Sequence, residues 1–422
     1  MEASDEKVSK MRRVYLDYNA TTPLEGEVLE TIQDALETAW GNPSSAYEEG
    51  KKAKLLIQDA RSHVADMVGG RDTDIIFTSG GTEANNLVIH SALKNFWGHH
   101  VYADGSRCSV SPHIITSNLE HDSVKLVLEK LKEEGKIELS VVQASKLTGR
   151  VVVEDVISHI RQAPDVSTCL ITIMSANNET GIIQPIAEIC ERVRSMKRQK
   201  NAPTRIFLHT DAAQSLGKIP VDVDVLGVDY LTIVGHKFYG PRIGALYVRG
   251  PATETPLHPM FFGGGQERNF RPGTENTGMI AGLGKAAQLV VKNLDTYSSR
   301  METIRDYLEE RLQKTFGAMV HFNGKFEGSS RLPNTCNVSL LGCNLKGGTV
   351  LANVRNLQAS VGSACHAQDQ PSHILLAIGI PREIASNALR LSVGRYTTKE
   401  DIDLIITDLK QTVTRLEKKR IE

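Results

Sequence analysis

Seven short apolar runs recur between Asp74 and Gly250, and they constrain the fold of this 422-residue chain more than any other feature. The runs are DIIFTS, HIITSN, LSVVQA, TCLITIMSA, RIFLHTDA, YLTIVGH and GALYVRG. Helical patterns stand between most of them, including one from Ile186 to about Lys200. Such alternation marks an α/β domain built on a mainly parallel sheet. Several runs are continuously apolar, as strands are when helices cover both faces. The last connection breaks the rhythm, because only about seven residues separate Gly235 from Ile243 and a parallel crossover needs about a dozen. The expectation is a mostly parallel seven-stranded sheet whose final strand runs antiparallel.

From about Ala281 the pattern changes to long helices (Lys285 to Gln313), a few strands and a terminal helix from Lys399 to Lys419. This predicts a large domain over residues 26–280 and a smaller α/β domain formed by 281–422 and completed by 1–25. Apolar residues make up 40% and charged residues 23%, the balance of a globular domain. A formal charge of -1 supplies no basic field for nucleic acid or an anionic membrane. The first residues lack an apolar stretch and carry Glu2, Asp5 and Glu6, which argues against an export or transit peptide. The six cysteines form no C-x-x-C pair and no zinc-like spacing, so a reducing, cytosolic setting without metal is expected. Cys169 and Cys190 read as small core hydrophobes.

The residues that carry chemistry sit where apolar runs end, the place where open α/β sheets bind ligands. Lys237, in GHKFYGP, is one; taken alone it reads as a solvated turn lysine, and the case for chemistry rests on its companions. Asp211, in HTDAAQ, ends a buried strand, where a carboxylate calls for a cation such as a protonated pyridine nitrogen or else caps the next turn. The turn Ser79-Gly80-Gly81-Thr82-Glu83 leads into a helix beginning near Glu83 and offers a phosphate cradle or an ordinary tight turn. His121 is a candidate for ring stacking or proton transfer, with helix capping as the alternative. Asn178 would donate to a ring hydroxyl or serve as a turn asparagine. Cys365 lies in a small-residue stretch before DQP, a loop pattern in which His366 would favour the thiolate; the plain alternative is an unreactive cysteine.

Taken together, YLDYNATTP, GNPSS, TSGGTEANN, EH, NNETG, HTDAAQ, GHKFYGP, GGGQERNFRPGTEN, GSAC and RLSVGR closely resemble the cysteine desulfurase and selenocysteine lyase family of fold-type-I pyridoxal-phosphate enzymes. The resemblance runs from Tyr15 to the last helix. It implies that Lys237 holds pyridoxal 5'-phosphate covalently and moves the substrate α-proton, that Asp211 pairs with the ring nitrogen, and that His121 stacks on the ring. By the same resemblance Asn178 and Gln214 contact the ring oxygen, Gly81, Thr82 and His236 hold the phosphate, and Arg390 clamps the carboxylate of an amino-acid substrate. Thr274 matches a position that reaches the neighbouring subunit's phosphate, implying a homodimer with shared sites. Cys365 matches the family's nucleophile, which attacks sulfur or promotes selenium release as alanine leaves, with an acceptor protein to take the chalcogen. Val234 departs from the pattern, since many desulfurases place a phosphate-binding serine there.

The stretches GGGQERNFRPGTENT and GHKFYGPRIGALY look closer to the selenium-handling members than to bacterial desulfurases, which ranks selenocysteine ahead of cysteine as substrate. Cysteine desulfuration through a Cys365 persulfide is the alternative. A catalytically silent binding protein would not need Lys237, Asp211 and Cys365 together, and transamination would leave Cys365 incidental.

Overall fold

The structure, a computed structural model, describes residues 12–100, 110–163, 167–196, 205–362 and 370–418. Its strands are, in chain order, β1 (Val14–Tyr15), β2 (Ile75–Thr78), β3 (His113–Ser117), β4 (Glu138–Val142), β5 (Thr168–Thr172), β6 (Phe207–Asp211), β7 (Tyr230–Val234), β8 (Gly244–Val248), β9 (Val320–Phe322), β10 (Thr335–Leu340), β11 (Leu357–Gln358) and β12 (Ala388–Ser392). The seven apolar runs become β2 to β8 and form one sheet in the order β2-β8-β7-β6-β5-β3-β4. All neighbours are parallel except around β8, which is antiparallel to both β7 and β2. The expected sheet is therefore present, and the short Gly235–Ile243 connection is what reverses β8. A second reversal at β2 returns that strand to the common direction.

Side chains alternate between two covered faces, as the two-residue period of a strand requires. Ile75, Phe77, Ile115, Ile171, Leu208, Leu231 and Ile233 point into one core with helices α1 (Gly26–Thr38), α2 (Glu48–Val68), α5 (Val153–Gln162) and α6 (Ile186–Ser195). Ile76, Ile114, Leu170, Phe207, Tyr230 and Leu246 point into the other, against α3 (Gly81–His99) and α4 (Asp122–Glu133). Burial on both faces is the reason those runs lack polar alternation. A short α7 (Val223–Leu226) leads into β7.

Two helix starts differ from expectation. The α3 helix begins at Gly81, two residues earlier than Glu83, because the Ala84 N–H already bonds to the Gly80 carbonyl at 3.1 Å. The long helix α8 spans Thr277–Phe316, forty residues or about 60 Å, and begins well before Lys285. Its early glycines have low helix propensity but permit close packing: a Cβ on Gly284 would lie 2.5 Å from Ala60 Cα.

The first half of α8 (Ile280, Leu283, Ala287, Val290) belongs to the core under the large sheet. Its second half (Met301, Ile304, Leu308, Leu312) belongs to a separate core with Val14, Leu16, Val338, Leu391 and the terminal helix Lys399–Lys418. There β9, β10 and β12 form a small antiparallel sheet, and β1 pairs in parallel with β11. One helix thus joins both cores, and the N-terminal segment lies against the second. Among the described residues no helix is long and apolar enough to cross a membrane, and no cluster of three metal-ligating side chains occurs.

Candidate active site

The double reversal around β8 puts the carboxyl ends of β2, β3, β5, β6 and β7 on one edge of the sheet, and a cavity of about 270 Å³ opens there. Gly81 and Thr82 enter it after β2, His121 after β3, Asn178 after β5, Asp211 and Gln214 around the end of β6, and His236 and Lys237 after β7. Arg390 reaches the same cavity from β12 of the second core. Strand order gathers the residues from Gly81 to Lys237 at this edge, and Arg390 is added from the separate small sheet.

Lys237 ends a single 3-10 turn, Gly235–Lys237, at the tip of β7. Its Nζ donates to the carbonyls of Asn19 at 2.7 Å and Ala20 at 2.8 Å. Burial, and next the nearby Arg390 guanidinium, lower its pKa to about 8, against the opposing pull of Asp211 and Asp17. A neutral amine has two N–H bonds, so both carbonyls stay satisfied while its lone pair remains free to attack. The turn is held from behind by Tyr239, a left-handed residue (φ 67°) whose N–H bonds to Thr22 Oγ1 and whose ring lies 4.2 Å from the Arg395 guanidinium.

In β6 the residues Phe207, His209 and Asp211 share the face that meets α3, so the Asp211 carboxylate ends up beside Asn85. Asp211 is 8% exposed; its Oδ2 accepts from Asn85 Nδ2 at 2.8 Å and its Oδ1 from the Ala213 N–H at 3.0 Å. Among the described residues no cation forms an ion pair with it. A buried carboxylate at a cavity wall without a counter-ion suits a cationic ring nitrogen. Asn85 also donates to Ser123 Oγ at 2.8 Å, and the Ser123 hydroxyl and backbone N–H both approach His121 Nδ1, at 2.9 and 3.1 Å. Those two donors make Nδ1 an acceptor, which leaves the imidazole proton on Nε2. His121 therefore caps α4 and lines the cavity at once, so its two sequence readings are not exclusive.

The start of the nineteen-residue α3 supplies free backbone N–H groups at Gly81 and Thr82. Val234 packs over them: a Cβ on Gly81 would sit 2.7 Å from Val234 Cγ2. The methyl thus occupies the place of the absent hydroxyl and leaves room at residue 81 for glycine only. His236 Nδ1 lies 3.0 Å from Thr21 Oγ1, and burial followed by the charges of Lys237 and Arg242 pushes its pKa down to about 4. It is a neutral hydrogen-bonding group at physiological pH. The whole cradle fits a phosphate bound by backbone donors and one neutral imidazole.

Arg390 is 2% exposed, and its fork is only partly used. One nitrogen pairs with Asp17 at 2.8 Å and another donates to the Asn178 carbonyl at 3.3 Å, while the buried Nε has no acceptor among the described residues. An unpaired buried N–H on a guanidinium at the cavity wall suits a carboxylate.

The sequence matches the family described as aminotransferase class-V over residues 14–405. The chain belongs to the class-V aminotransferase family. Among its curated relatives, the selenocysteine lyase of Bos taurus is 55% identical over 98% of this chain and 96% of that protein. The cysteine desulfurase IscS of Dictyoglomus turgidum is 39% identical over 96% of this chain and 95% of its own length. A solved NifS-like protein superposes with a TM-score of 0.81 at 32% identity, covering 96% of this chain and all of the other.

One expected site residue, Thr274, does not line this cavity of the class-V aminotransferase fold. Thr274 lines a neighbouring hollow of about 200 Å³ with Ser79, Arg242 and Arg271. It follows a turn in which Glu267, Arg268 and Asn269 all have positive φ (45°, 57° and 68°), a conformation costing roughly 1–2 kcal/mol per residue. Buried Arg61 holds that turn through Glu267, and Arg268 holds it through the carbonyls of Thr73 and Ile75. Cys365 and His366 lie outside the described residues. Described residues on both sides approach one carboxylate: a Cβ on Gly362 would lie 3.1 Å from Glu179 Oε2, and Ser372 Oγ donates to the same oxygen at 2.6 Å.

Sequence reasoning missed Asn19, Asn85 and Lys218. Asn19 is 1% exposed and spends every polar atom: its carbonyl receives Lys237 and Gln214, its Oδ1 receives Lys218 and Asn334, and its Nδ2 donates to Asn178 and Thr335. Its place inside YLDYNATTP was the available signal. Lys218 carried none.

Proposed function

We propose that this protein is a pyridoxal 5'-phosphate-dependent lyase that converts L-selenocysteine to L-alanine and releases selenium for reuse. The observation that carries the reading is one cavity uniting a lysine of lowered pKa with a buried carboxylate and an arginine N–H that have, among the described residues, no counter-ion and no acceptor respectively. The relatives support the selenium assignment, since the selenocysteine lyases stand well above the desulfurases in identity. Desulfuration of cysteine, with the same residues and a Cys365 persulfide, is the second reading, favoured by those 39% identical relatives.

Bound in this cavity, the cofactor supplies an electron sink for the carbanion at Cα. Asp211 keeps the ring nitrogen protonated, and Asn178 and Gln214 hold the ring oxygen. Gly81, Thr82 and His236 would bind the phosphate, and His121 would stack on the ring. Arg390 binds the substrate carboxylate, which fixes Cα beside Lys237. Lys237 Nζ takes the α-proton and returns it. Cys365 meets the chalcogen, and a separate acceptor protein receives it. Selenocysteine needs less help than cysteine, because a selenol is ionised near neutral pH whereas a thiol titrates near ~8.5.

In this reading the protein works as a cytosolic homodimer in which Thr274 completes the partner's site. Residues 26–280 bind the cofactor, and 1–25 with 281–422 carry the Cys365 segment. That Thr274 lines a different hollow from the Lys237 cavity supports a site shared across subunits.

The rate at which cofactor-free protein captures the cofactor tests the lysine assignment. Capture needs the neutral amine, so the rate is expected to rise about tenfold per pH unit below about 8 and to level off above it. Stopped-flow absorbance from pH 6 to 10 reads the profile. A rate still climbing toward ~10.4, the value of an ordinary lysine, contradicts the assignment.

A further inference from the structure

Lys218 is a buried cation that the proposed mechanism leaves unused. It stands seven residues beyond Asp211, is 3% exposed, and has no carboxylate partner among the described residues. Taking a lysine out of water without an anion is costly, so its neighbours should show what it does there. Its Nζ lies 2.9 Å from Gln214 Oε1, 3.1 Å from the Gln214 carbonyl and 3.4 Å from Asn19 Oδ1. Burial, then the charges of Lys237, Arg390 and Arg395, lower its pKa. In either protonation state at least two N–H groups remain for the two Gln214 oxygens.

The Gln214 amide is consequently held from both ends. Its oxygen faces Lys218, and its nitrogen donates to the Asn19 carbonyl at 3.1 Å, the carbonyl that also receives Lys237 Nζ. A flipped amide would set NH2 against the lysine head and oxygen against a carbonyl oxygen. One N–H of Gln214 goes to Asn19, and the second is left on a side chain that lines the Lys237 cavity.

We infer that Lys218 is a positioning residue that locks the Gln214 amide with its N–H toward the cavity, so that the site offers the cofactor's ring oxygen a donor and never an acceptor. This rests on the reading of Lys237 as the cofactor-bearing lysine. A donor on that oxygen stabilises its negative form and weakens its hold on the proton shared with the Lys237 nitrogen. The lysine-bound cofactor therefore loses that proton at a lower pH. Asn19 makes the arrangement contiguous, since the lysine that positions and the lysine that reacts both bond to it.

The test is a pH titration of the visible absorption of the cofactor-loaded protein. Lys218→Met is expected to raise the midpoint by about one pH unit, the scale of one hydrogen bond to a charged group. Gln214→Ala is expected to raise it similarly, and the double variant no further than Gln214→Ala alone. Lys218→Arg, which also only donates, is expected to restore the wild-type midpoint. Should Lys218→Met fail to fold, Lys218→Gln replaces it, because its carbonyl accepts from Gln214 and frees the amide to turn; the same upward shift is expected. A folded Lys218 variant with an unmoved midpoint, or shifts that add in the double variant, overturns the inference. Wild-type protein that gains no visible band overturns the cofactor reading and this inference with it.

Discussion

Lys237→Ala protein is expected to lose alanine formation from any amino acid by at least about 10⁴-fold and to retain no cofactor after borohydride reduction. The loss is this large because one nitrogen has two duties. General acid–base transfer contributes about 10²–10⁴-fold, and covalent tethering of the cofactor adds to it. No other lysine lines the cavity among the described residues, since the Lys218 head is spent on Gln214 and Asn19. The substitution also leaves the Asn19 and Ala20 carbonyls without their donor, at about 1 kcal/mol each, so thermal unfolding should be followed beside activity. Mass spectrometry of the reduced protein places the cofactor; a cofactor retained on another residue with turnover preserved would contradict the assignment.

Arg390→Ala is expected to raise KM for selenocysteine and cysteine alike and to lower kcat/KM by between about 30-fold and several thousand-fold. The range corresponds to the roughly 2–5 kcal/mol lost when one partner of a buried charge pair is removed. Arg390→Lys is expected to rescue little. The guanidinium engages Asp17 and the Asn178 carbonyl with two nitrogens while Nε stays free, and an ammonium cannot reproduce that fork. Steady-state kinetics on both substrates, with folding checked by circular dichroism, decide the matter; an unchanged KM would move the carboxylate clamp elsewhere.

The large sheet was legible because all its strands but the edge strand β4 are buried on both faces: Ile75 and Phe77 face one core and Ile76 the other, so the run is apolar throughout. The antiparallel β8 followed from a connection too short to cross over. Lys237 and Asp211 were legible because strand ends point to the ligand edge in any open α/β sheet, whereas Gln214 came from the family resemblance. The start of α8 was not, since Gly282 and Gly284 add little helix propensity and serve instead as contact points against Ile32 and Ala60. Nor was the frame around Lys237, because its acceptors Asn19 and Ala20 lie more than 200 positions away and hydrogen bonding at that separation leaves no periodicity. Lys218 carried no sequence signal, and only the fold shows that it is enclosed by Gln214 and Asn19.

Alanine formation measured side by side from selenocysteine and cysteine, by wild-type protein under reducing conditions, tests the central claim most directly. Both substrates share the amine and the carboxylate, so both should bind, and the difference should appear in the chemistry of the leaving group. A selenocysteine lyase is expected to favour selenocysteine by at least about 100-fold in kcat/KM, roughly 2.7 kcal/mol of transition-state stabilisation. Cysteine is then expected to act as a competitive inhibitor. Comparable turnover of the two amino acids would contradict the account and make cysteine desulfuration the activity of this site.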